Sequence, residues 1–576
     1  MIQPPGNYYR NSSSGRPPLR IGLVLCSREE IPAFAAAIVR EIQATSFATI
    51  EMAITGGPAA EDQSLSKRQP HGSNKKRFNS LLYDLYLRMD APMKRADDPL
   101  LSVSFKELLP EVETVILHSG DDEAESAAAT GAVEKIRAKD LDVILELEFG
   151  TAPQSILKTA RYGTWSLRYG DPQVYWGKPA CLWELVEHSS TSSTTLGVRG
   201  DQPDNDKILC RSLFATENTL SVSKNRHTPF WSAKDLVVRK LHELHQDGWQ
   251  RIEERALPWE RYKGKRERYG TPTNLEVAKW LAPALIKKAA RYPFRTEVAA
   301  HWRIGLRSNA APLYETGNDA KLSDFRWIEA PRGRAYADPF LFEHDGQCWL
   351  FFEDYLYREK RAGISCAPIS ANGELGAVLP CLQHSSYHYS YPHIFRSGSE
   401  IFMIPESYDS NAIDLYRCVE FPSKWVVKAR LAEGKFVDTT VWEHDGLWWL
   451  ATTTAEPVPG AGALFLYYSE SLTGDWHFHR ANPISTDIRS NRGAGRVLLS
   501  DGRLIRPSQS CAPIYGYSIT FHEIVELSKE KYSERALKTV GPEHWKGLLG
   551  VHTYNCAGNL EVIDGQTPLP LKRLLG

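Results

Sequence analysis

The sequence lacks most of the features that would assign it to a special class of protein. Its nine cysteines follow neither a metal-ligand spacing nor a disulfide framework, which indicates a reducing compartment. No run of about 18 apolar residues occurs, so no transmembrane helix is predicted. The polar, proline-rich N-terminus lacks the apolar core of a signal peptide. Together these absences predict a cytoplasmic protein without an integral membrane segment.

An excess of charge of either sign is also missing. The 69 Lys and Arg residues nearly balance the 70 Asp and Glu residues, and the formal net charge is −1. A chain with this balance offers no electrostatic attraction for nucleic acid or for an anionic membrane. We therefore expect no nucleic acid partner.

The sequence does contain enough apolar surface for more than one hydrophobic core. Of its 576 residues, 42% are hydrophobic and 24% are charged, which is typical of a globular protein with two or three domains. Changes in pattern predict four regions: a disordered tail at 1–19, an α/β domain at 20–230, a helical linker region at 231–309 and an all-β domain at 310–576.

A repeated phrase characterises the C-terminal half of the chain. Each copy is a short apolar run, a turn pair and a second apolar run, and the copies span residues 337–354, 390–407, 436–453, 492–509 and, more weakly, 555–565. In four copies the turn pair is Asp-Gly, which between β-rich runs is the strongest short hairpin signal. The copies recur about every 50 residues, which is the period of a four-stranded propeller blade. Five copies predict a five-bladed β-propeller.

Polar side chains recur at matched positions of these hairpins. Eight residues before the second turn residue, the first three copies carry Asp338, Tyr391 and Asp438. Seven residues after it, Glu353, Glu406 and Gln509 stand in the first, second and fourth copies. Both positions lie at the same end of a hairpin, and the innermost strands of a propeller line a central channel. We therefore expect the four acids to gather at one mouth of that channel. The alternative is that each strand-end acid is solvated or binds turn amides.

Converging carboxylates are what glycosyl transfer requires. One protonated carboxyl assists the departing oxygen, and one ionised carboxylate acts as base or nucleophile. The separation of the two groups distinguishes retention, at about 5–5.5 Å, from inversion, at about 6.5–9.5 Å.

The N-terminal half has a different pattern. Apolar runs at 21–27, 48–57, 112–120 and 141–150 alternate with helical patterns such as 29–44. This alternation predicts a doubly wound parallel sheet whose ligand site lies beyond the carboxyl ends of the strands. No GxGxxG follows the first run, so the dinucleotide fingerprint is absent.

Part of this half resembles the formyltransferase family, which includes methionyl-tRNA formyltransferase and sugar N-formyltransferases. The resemblance rests on an apolar strand ending in Gly, a short helix, the strand "YGTWSLRYG", the segment "YWGKPACLWEL" and a Thr-rich strand, and it extends over residues 20–228. Members of that family carry an Asn and a His two residues apart on this strand and an Asp further on. The His and Asp support deprotonation of the amine that receives the formyl group.

This chain departs from that pattern at the positions that carry the family's chemistry. Ser166 occupies the Asn position, Arg168 the His position, and Asp204, within "PDNDKIL", is the candidate for the Asp. Arginine cannot act as a base near neutral pH, so the resemblance implies the fold with a degenerate site. An arginine here either forms a structural ion pair or holds a phosphate or carboxylate.

The repeats resemble the N-terminal propeller domain of glucosamine inositolphosphorylceramide transferases and, behind it, glycoside hydrolase family 43. The phrases "YADPFLFEHDG", "YPHIFRSGSEIFMIPES" and "VDTTVWEHDGLWWLATT" carry this resemblance over residues 325–565. It implies that Asp338 is the base or nucleophile, Glu406 the general acid and Asp438 the acid that tunes and orients. The order of blades differs from the hydrolases, where the tuning Asp precedes the acid. Further substrate-binding candidates are Glu353, Tyr391, His393, Arg506, Gln509 and His552.

These observations predict a carbohydrate-active protein with glycoside hydrolase or glycosyl-transfer chemistry at the propeller channel. Its substrate would be a carbohydrate, a sugar nucleotide or a sugar lipid, and no metal site is predicted. A second hypothesis is an amino-sugar N-formyltransferase that uses formyl-tetrahydrofolate and grips its acceptor with the propeller. A third is a glycan-binding protein without catalysis. The identity of the sugar and the oligomeric state stay open at the level of sequence.

Overall fold

The structure is a computed structural model of the chain. It describes residues 2, 4–56, 79–90, 97–117, 123–148, 152–171, 173–175, 179–202, 205–217, 220–259, 262–266, 269–291, 298–308, 311–315, 317, 320–370, 373–383, 386–455 and 462–570. The chain divides into two compact units: Pro5–Ala290, called the α/β unit below, and Met1–Pro4 with Arg291–Gly576, called the propeller unit.

A mixed eight-stranded sheet forms the centre of the α/β unit. Its strands, in order across the sheet, are Leu257–Pro258, Lys207–Ala215, Thr191–Val198, Thr164–Tyr169, Val143–Glu146, Leu19–Leu25, Ala48–Gly56 and Glu113–Leu117. From Thr164–Tyr169 to Glu113–Leu117 neighbouring strands are parallel, and from Leu257–Pro258 to Thr164–Tyr169 they are antiparallel, so Thr164–Tyr169 belongs to both parts. The chain order reverses at Leu19–Leu25, which gives the switch point of a doubly wound sheet. The predicted doubly wound α/β fold is confirmed.

Helices cover both faces of this sheet. They are Pro5–Tyr8, Ala33–Gln43, Leu81–Asp90, Phe105–Leu108, Glu123–Ala138, Trp183–Val186, Val222–Trp231, Ala233–Asp247, Trp249–Arg255 and Asn274–Arg291, and a small ladder joins Glu30–Pro32 to Ser102–Ser104. Successive strand residues alternate between two cores: Leu23 packs with Phe34, whereas Val24 packs with Ile136. Among the described residues, no helix is long and apolar enough to span a bilayer.

The structure differs from the predicted tail and linker. Within the predicted tail at 1–19, the Ser12 hydroxyl donates to Gln246 over 2.8 Å and lies 2.8 Å from Nδ1 of His245. Within the predicted linker, Ala233–Asp247 packs in the core of the α/β unit, and Val298–Ser308 is a propeller strand. Ser12 and Val298–Ser308 have partners more than 200 residues away in the sequence, which a local pattern does not show.

Five small sheets make up the propeller unit, as predicted. Blade 1 is Arg334–His344, Gln347–Leu356, Arg361–Ile369 and Leu379–Leu382; blade 2 is Ser390–Ser397, Glu400–Glu406, Ala412–Glu420 and Lys424–Glu433; blade 3 is Phe436–His444, Leu447–Thr454, Leu464–Ser469 and His477–Phe478; blade 4 is Arg492–Gly493, Leu498–Ser500, Arg503–Ser510, Ser518–Leu527 and Tyr532–Val540; blade 5 is Tyr554–Ala557, Leu560–Pro570, Val298–Ser308 and Arg326–Ile328. Blade 5 joins strands from both ends of the unit, because Val298–Ser308 pairs with Leu560–Pro570 over eleven residue pairs.

The Asp-Gly turns form where they were predicted in three blades. In blade 1, φ is 49° at Asp345 and 72° at Gly346, and the Asp-Gly pairs of blades 3 and 4 have the same signs. Positive φ at both central residues defines the two-residue turn that matches the twist of a hairpin.

The fifth predicted turn, at Asp564 and Gly565, is wrong. These residues lie inside the strand Leu560–Pro570, and the turn of blade 5 is at Gly558 and Asn559. Gly565 serves close packing instead, because a Cβ there would lie 2.6 Å from the Trp327 ring.

Candidate active site in the propeller

The inner strands of blades 1, 2 and 3 begin with the same backbone distortion. Asp338, Tyr391 and Asp438 have φ of 48°, 44° and 51°, and the ladder of each blade skips a step at that point. Positive φ in a residue other than glycine is uncommon and persists only where surrounding contacts hold it. The matched registers predicted from the sequence are therefore real structural equivalents.

Each distortion turns a backbone N–H out of its own ladder, and an acid of the preceding blade accepts it. The N–H of Asp338 donates to Asp564 over 3.0 Å, that of Tyr391 to Asp338 over 3.1 Å, and that of Asp438 to Glu406 over 3.1 Å. The structural alternative, in which strand-end acids bind amides, thus describes part of what these carboxylates do.

The same acids also line a cavity of about 370 Å³ at one end of the propeller. Its lining residues are Ala300, Trp302, Ala335, Ala337, Asp338, Glu353, Tyr355, Tyr357, His388, Ser390, Glu406, Asp438, Tyr515 and His552. All four acids expected at the channel mouth are in this set, together with His552. Blades 1, 2, 3 and 5 each contribute an acid or a strand to the wall, so the closed ring of blades brings these residues together.

Asp338 lies deep in the cavity, where it is 6% exposed. Its Oδ1 accepts a hydrogen bond from the Thr553 hydroxyl over 2.7 Å, and Nε2 of His552 lies 3.7 Å from the same oxygen. Burial, followed by the neighbouring carboxylates of Glu353 and Asp564, raises the pKa of Asp338 to about 7, although the cationic His552 opposes the rise. Asp338 therefore exchanges its proton near neutral pH.

His552 is held as a cation by two acids. Its Nδ1 lies 2.6 Å from Asp564 Oδ2, and Asp564 is 0% exposed. Burial alone disfavours the charged imidazole, but Asp564 and Asp338 together raise the pKa of His552 to about 9. One face of the imidazole stacks on Trp302, with ring centroids 4.0 Å apart. A fixed positive charge therefore stands beside Asp338 at neutral pH.

Glu406 and Asp438 share one arginine. Arg492 Nε donates to Asp438 Oδ2 over 2.6 Å, and its Nη2 lies 3.7 Å from Glu406 Oε2. Gln509 Nε2 gives Asp438 a second donor at 3.3 Å. Burial and then the charge of Asp438 raise the pKa of Glu406 well above its ordinary value, by more than Arg492 lowers it. The charged form of Glu406 is thus disfavoured, whereas Asp438 is ion-paired with Arg492.

Glu353, the fourth acid, is paired with a histidine between blades 1 and 2. His388 Nε2 lies 3.3 Å from Glu353 Oε1, and the N–H of Ala362 donates to His388 Nδ1 over 3.2 Å. Burial opposes the charged imidazole, but Glu353 outweighs it and raises the pKa of His388.

Four predicted substrate-binding residues lie outside the cavity wall. The Tyr391 hydroxyl is enclosed by Thr440 and Gly495, each at 2.9 Å. His393 is bonded to the backbone of Val441, and burial lowers its pKa to about 3. Arg506 forms a two-pronged ion pair with Glu534, at 2.8 and 2.6 Å.

The polar groups of these three side chains find protein partners: Tyr391 on the propeller axis, His393 on blade 3 and Arg506 within blade 4. The structure therefore does not bring them to the cavity wall. Gln509 does not line the cavity, but its side-chain amide donates a hydrogen bond to Asp438, which does.

Asp338, His552 and Asp564 are also grouped closely enough to hold a cation, with candidate ligand atoms within 4.8 Å of one another. Asp564 Oδ1, however, accepts the N–H groups of His552 and Thr553, and its Oδ2 accepts that of Asp338. Oxygens surrounded by N–H donors and by an imidazolium are suited to hydrogen bonding rather than to coordinating a metal ion.

Sequence reasoning missed Arg492, Trp302, Tyr515 and His388. Arg492 opens the fourth repeat, two residues before the position aligned with Asp338, and a basic residue there could have been matched to the acids. Trp302 lay in the predicted linker, and its place in blade 5 depends on pairing with the last strand of the unit. Tyr515 and His388 lie between strands, where the repeat pattern carries no information.

The α/β unit has an arginine in place of the base that the formyltransferase resemblance requires. Arg168, 7% exposed, forms an ion pair with Asp206 and lies 4.0 Å above the Trp259 ring. Ser166 lies on the same strand and is buried. Asp204 lies outside the described residues, and the acid that the structure brings to Arg168 is Asp206.

Comparison with known proteins finds similarity in both units. Residues 330–558 match the family described as glucosamine inositolphosphorylceramide transferase 1, N-terminal. Glucosamine inositolphosphorylceramide transferase 1 of Arabidopsis thaliana is 35% identical over 226 residues, which is 38% of this chain and 30% of that protein. The chain therefore spans less than a third of this curated relative.

Comparison with solved structures finds two further similarities. A thermostable family-43 glycoside hydrolase covers 42% of this chain and 91% of its own, with 12% identity and a TM-score of 0.31. Phosphoribosylglycinamide formyltransferase from Bacillus halodurans covers 39% of this chain and 94% of its own, with 12% identity and a TM-score of 0.28. The sequence match to the transferase family is confined to the propeller, and it supports a carbohydrate-related function for this chain.

Proposed function

We propose that the propeller cavity catalyses glycosyl chemistry on a sugar substrate, with Glu406 as general acid and Asp338 as base or nucleophile. The observation that supports this most strongly is that two carboxyl groups with raised pKa values, the buried Asp338 and the partly buried Glu406, line one cavity. Enzymes that cleave glycosidic bonds need such a pair in different protonation states.

Glu406 is suited to protonate the oxygen that leaves. Burial and the charge of Asp438 raise the pKa of Glu406 well above its ordinary value and so favour its protonated form. A neutral carboxyl beside a glycosidic oxygen can transfer that proton as the bond breaks, and the carboxylate that results gains the attraction of Arg492 at 3.7 Å. The charge that forms during the step is thus stabilised by a group already in place.

Asp338 is suited to act on the other face of the sugar. Its pKa of about 7 makes both protonation states available near neutral pH, which is the condition for an efficient general base. His552 stabilises the ionised form from 3.7 Å. In hydrolysis Asp338 would take a proton from the attacking water, or would itself attack the anomeric carbon as the glycosidic oxygen leaves. In transfer an acceptor hydroxyl would replace water, and Asp338 would take the proton of that hydroxyl.

Asp438 is proposed to orient the substrate and to tune Glu406. Arg492 and Gln509 hold its carboxylate in one position, and its charge is a leading reason for the raised pKa of Glu406. The similarity to the N-terminal region of glucosamine inositolphosphorylceramide transferases supports a sugar nucleotide or sugar lipid as well as a simple glycoside as the substrate class.

The test is a panel of aryl glycosides and nucleotide sugars, with release of the leaving group and binding measured together. Wild type should turn over at least one of them, and Asp338→Asn and Glu406→Gln should reduce the rate by about 10²–10⁴, as expected for lost acid–base groups. Glu406→Gln should be partly rescued by leaving groups that need no proton.

Two surface substitutions provide matched controls. Asp345→Asn lies in the turn of blade 1 and Glu400→Gln lies on the same strand as Glu406, both exposed, and both should retain wild-type rates. Binding without release by wild type across the whole panel would contradict the catalytic proposal and favour a glycan-binding protein.

We also propose that the α/β unit does not transfer formyl groups by the route of the family it resembles. The support is Arg168, whose guanidinium is ion-paired with Asp206 and stacked on Trp259. A side chain fixed in this way is a structural cation, not a proton acceptor.

A further inference from the structure

We infer that the cavity receives a single terminal sugar ring, so that the protein acts at the end of a glycan and not within it. This inference rests on the proposed glycosyl chemistry and adds a substrate class to it. It is drawn from the filled axis beneath the cavity, the depth of the acids and the arc of aromatic side chains around them.

Buried side chains fill the propeller axis directly beneath the acids. The Tyr391 hydroxyl donates to the carbonyl oxygen of Gly495 over 2.9 Å and accepts the Gly495 N–H over 2.8 Å. A Cβ on Gly493 would lie 2.9 Å from that hydroxyl and 3.1 Å from the Asp438 carbonyl oxygen. The space at this level is thus too small even for one added carbon atom, and no sugar can continue along the axis.

A second layer of polar contacts closes the axis further down. Asn555 Nδ2 donates to the carbonyl oxygen of Pro339 over 2.6 Å, and Asn555 Oδ1 accepts the N–H of Arg496 over 3.1 Å. The guanidinium of Arg496 in turn donates to the carbonyl oxygen of Leu341. These bonds join blades 4 and 5 to blade 1 across the centre. The cavity is therefore a pocket with a floor.

The acids stand near that floor. Asp338 is 6% exposed, whereas Tyr515, which also lines the cavity, is 47% exposed. The volume of about 370 Å³ lies near the lower end of the range of about 300–1,000 Å³ for small-molecule pockets. For the glycosidic bond to reach Asp338 and Glu406, the sugar on one side of it must occupy the pocket, and the remainder of the glycan must extend outward.

Aromatic side chains form an arc along one side of the pocket. Trp302 of blade 5, Tyr357 and Tyr355 at the end of the second strand of blade 1, and His388 follow one another around the wall. The Tyr357 hydroxyl lies 2.9 Å from His301 Nδ1, which joins blade 1 to blade 5 at this level. Tyr355 packs edge-on against Tyr357 at 5.3 Å.

The arc and the acids give the pocket two chemically different sides. Aromatic faces accept the C–H face of a sugar ring, and carboxylates bind its hydroxyl groups. Because the arc is tied across two blades by the contact between His301 and Tyr357, it is a rigid boundary. A ring substituted on its outer hydroxyl groups would collide with it.

The test uses linear oligosaccharides that carry a fluorescent label at the reducing end, built from the sugars whose aryl glycosides the protein turns over. A matched set is capped by O-methylation of the terminal ring. We expect the labelled chains to lose one residue at a time from the first turnover, and the capped chains to stay intact. Early fragments of intermediate length, or equal cleavage of capped chains, would overturn the inference while leaving the glycosyl chemistry in place.

Binding to the same uncapped and capped chains, immobilised as an array, separates the two proposals when nothing is released. Binding of uncapped termini that capping abolishes, and that Tyr355→Ala weakens, would support the terminal-ring inference and contradict only the catalysis. Tyr517→Ala, outside the cavity, is the matched control and should bind as wild type does. Absence of both release and binding would overturn the inference together with the proposed function.

Discussion

Replacing the buried Asp338 with asparagine should make the protein less sensitive to alkaline pH. The carboxyl group has its pKa raised from 3.8 to about 7 by burial, so the folded state holds this proton more tightly than the unfolded chain does. The stabilisation that the proton provides is complete below the unfolded pKa and is lost as pH rises through about 7. At pH 8 the buried charge of Asp338 therefore lowers the unfolding free energy of wild type, whereas a neutral asparagine introduces no such charge.

The size of the effect follows from the shift. One pKa unit corresponds to about 1.4 kcal/mol, so a shift of about three units gives a limit of roughly 4 kcal/mol between the protonated and ionised folded states. At pH 5 the unfolded carboxyl is already ionised, so only the interval from pH 5 to the folded pKa of about 7 contributes, and that pKa already includes the attraction of His552. The difference in unfolding free energy between Asp338→Asn and wild type should then change in favour of the variant by about 2–3 kcal/mol from pH 5 to pH 8.

Urea denaturation followed by tryptophan fluorescence at both pH values measures this change without any knowledge of the substrate. Asn is nearly isosteric: its amide oxygen can still accept the N–H of Tyr391, and its NH₂ group can donate to the Thr553 hydroxyl, which reverses that bond. The variant should therefore fold. Asp501→Asn is the control, because that carboxyl is exposed at the tip of the blade 4 turn, and its effect should not depend on pH. An equal loss of stability at pH 5 and pH 8 in Asp338→Asn would refute the raised pKa and with it the case for Asp338 as a base near neutral pH.

Three further results are expected. Arg506→Met breaks a buried ion pair and should lower stability by about 3–5 kcal/mol, measured by denaturation, while the molecules that stay folded keep their substrate affinity. With a substrate in hand, kcat/KM should rise with pH through about 7 as Asp338 ionises; a profile without a rise between pH 5 and pH 9 would contradict this assignment. Formyl-tetrahydrofolate should not be consumed with any of a panel of amino sugars; turnover that survives Arg168→Ala would show that another residue supplies the base.

The periodic features of the propeller could be predicted from the sequence because they are local. An Asp-Gly pair between apolar runs specifies its turn within a few residues, and counting from that turn placed Asp338 and Asp438 at equivalent, similarly distorted positions. The same rule failed at Asp564. There the Asp-Gly pair lies inside a strand. The glycine at 565 is needed for its close contact with the Trp327 ring and not for a turn.

Pairing between distant parts of the chain could not be predicted in the same way. Val298–Ser308 completes blade 5 by pairing with Leu560–Pro570, and nothing in either segment alone specifies the other. Trp302 was missed for this reason. Arg492 was missed because its partners, Asp438 and Glu406, come from two other blades. Closure of the ring sets these contacts, and it also explains why the Tyr391 hydroxyl binds Thr440 and Gly495 of two other blades and does not line the cavity.

The most direct test of the account is a crystal structure of Glu406→Gln with a glycan or aryl glycoside to which the variant binds. We expect one terminal ring in the cavity, with its glycosidic oxygen within hydrogen-bond distance of residue 406 and its anomeric carbon facing Asp338. A ligand bound on the outer strands of the blades, or one whose glycosidic bond lies beyond the reach of both carboxyl groups, would contradict the claim that this cavity is the site of glycosyl chemistry.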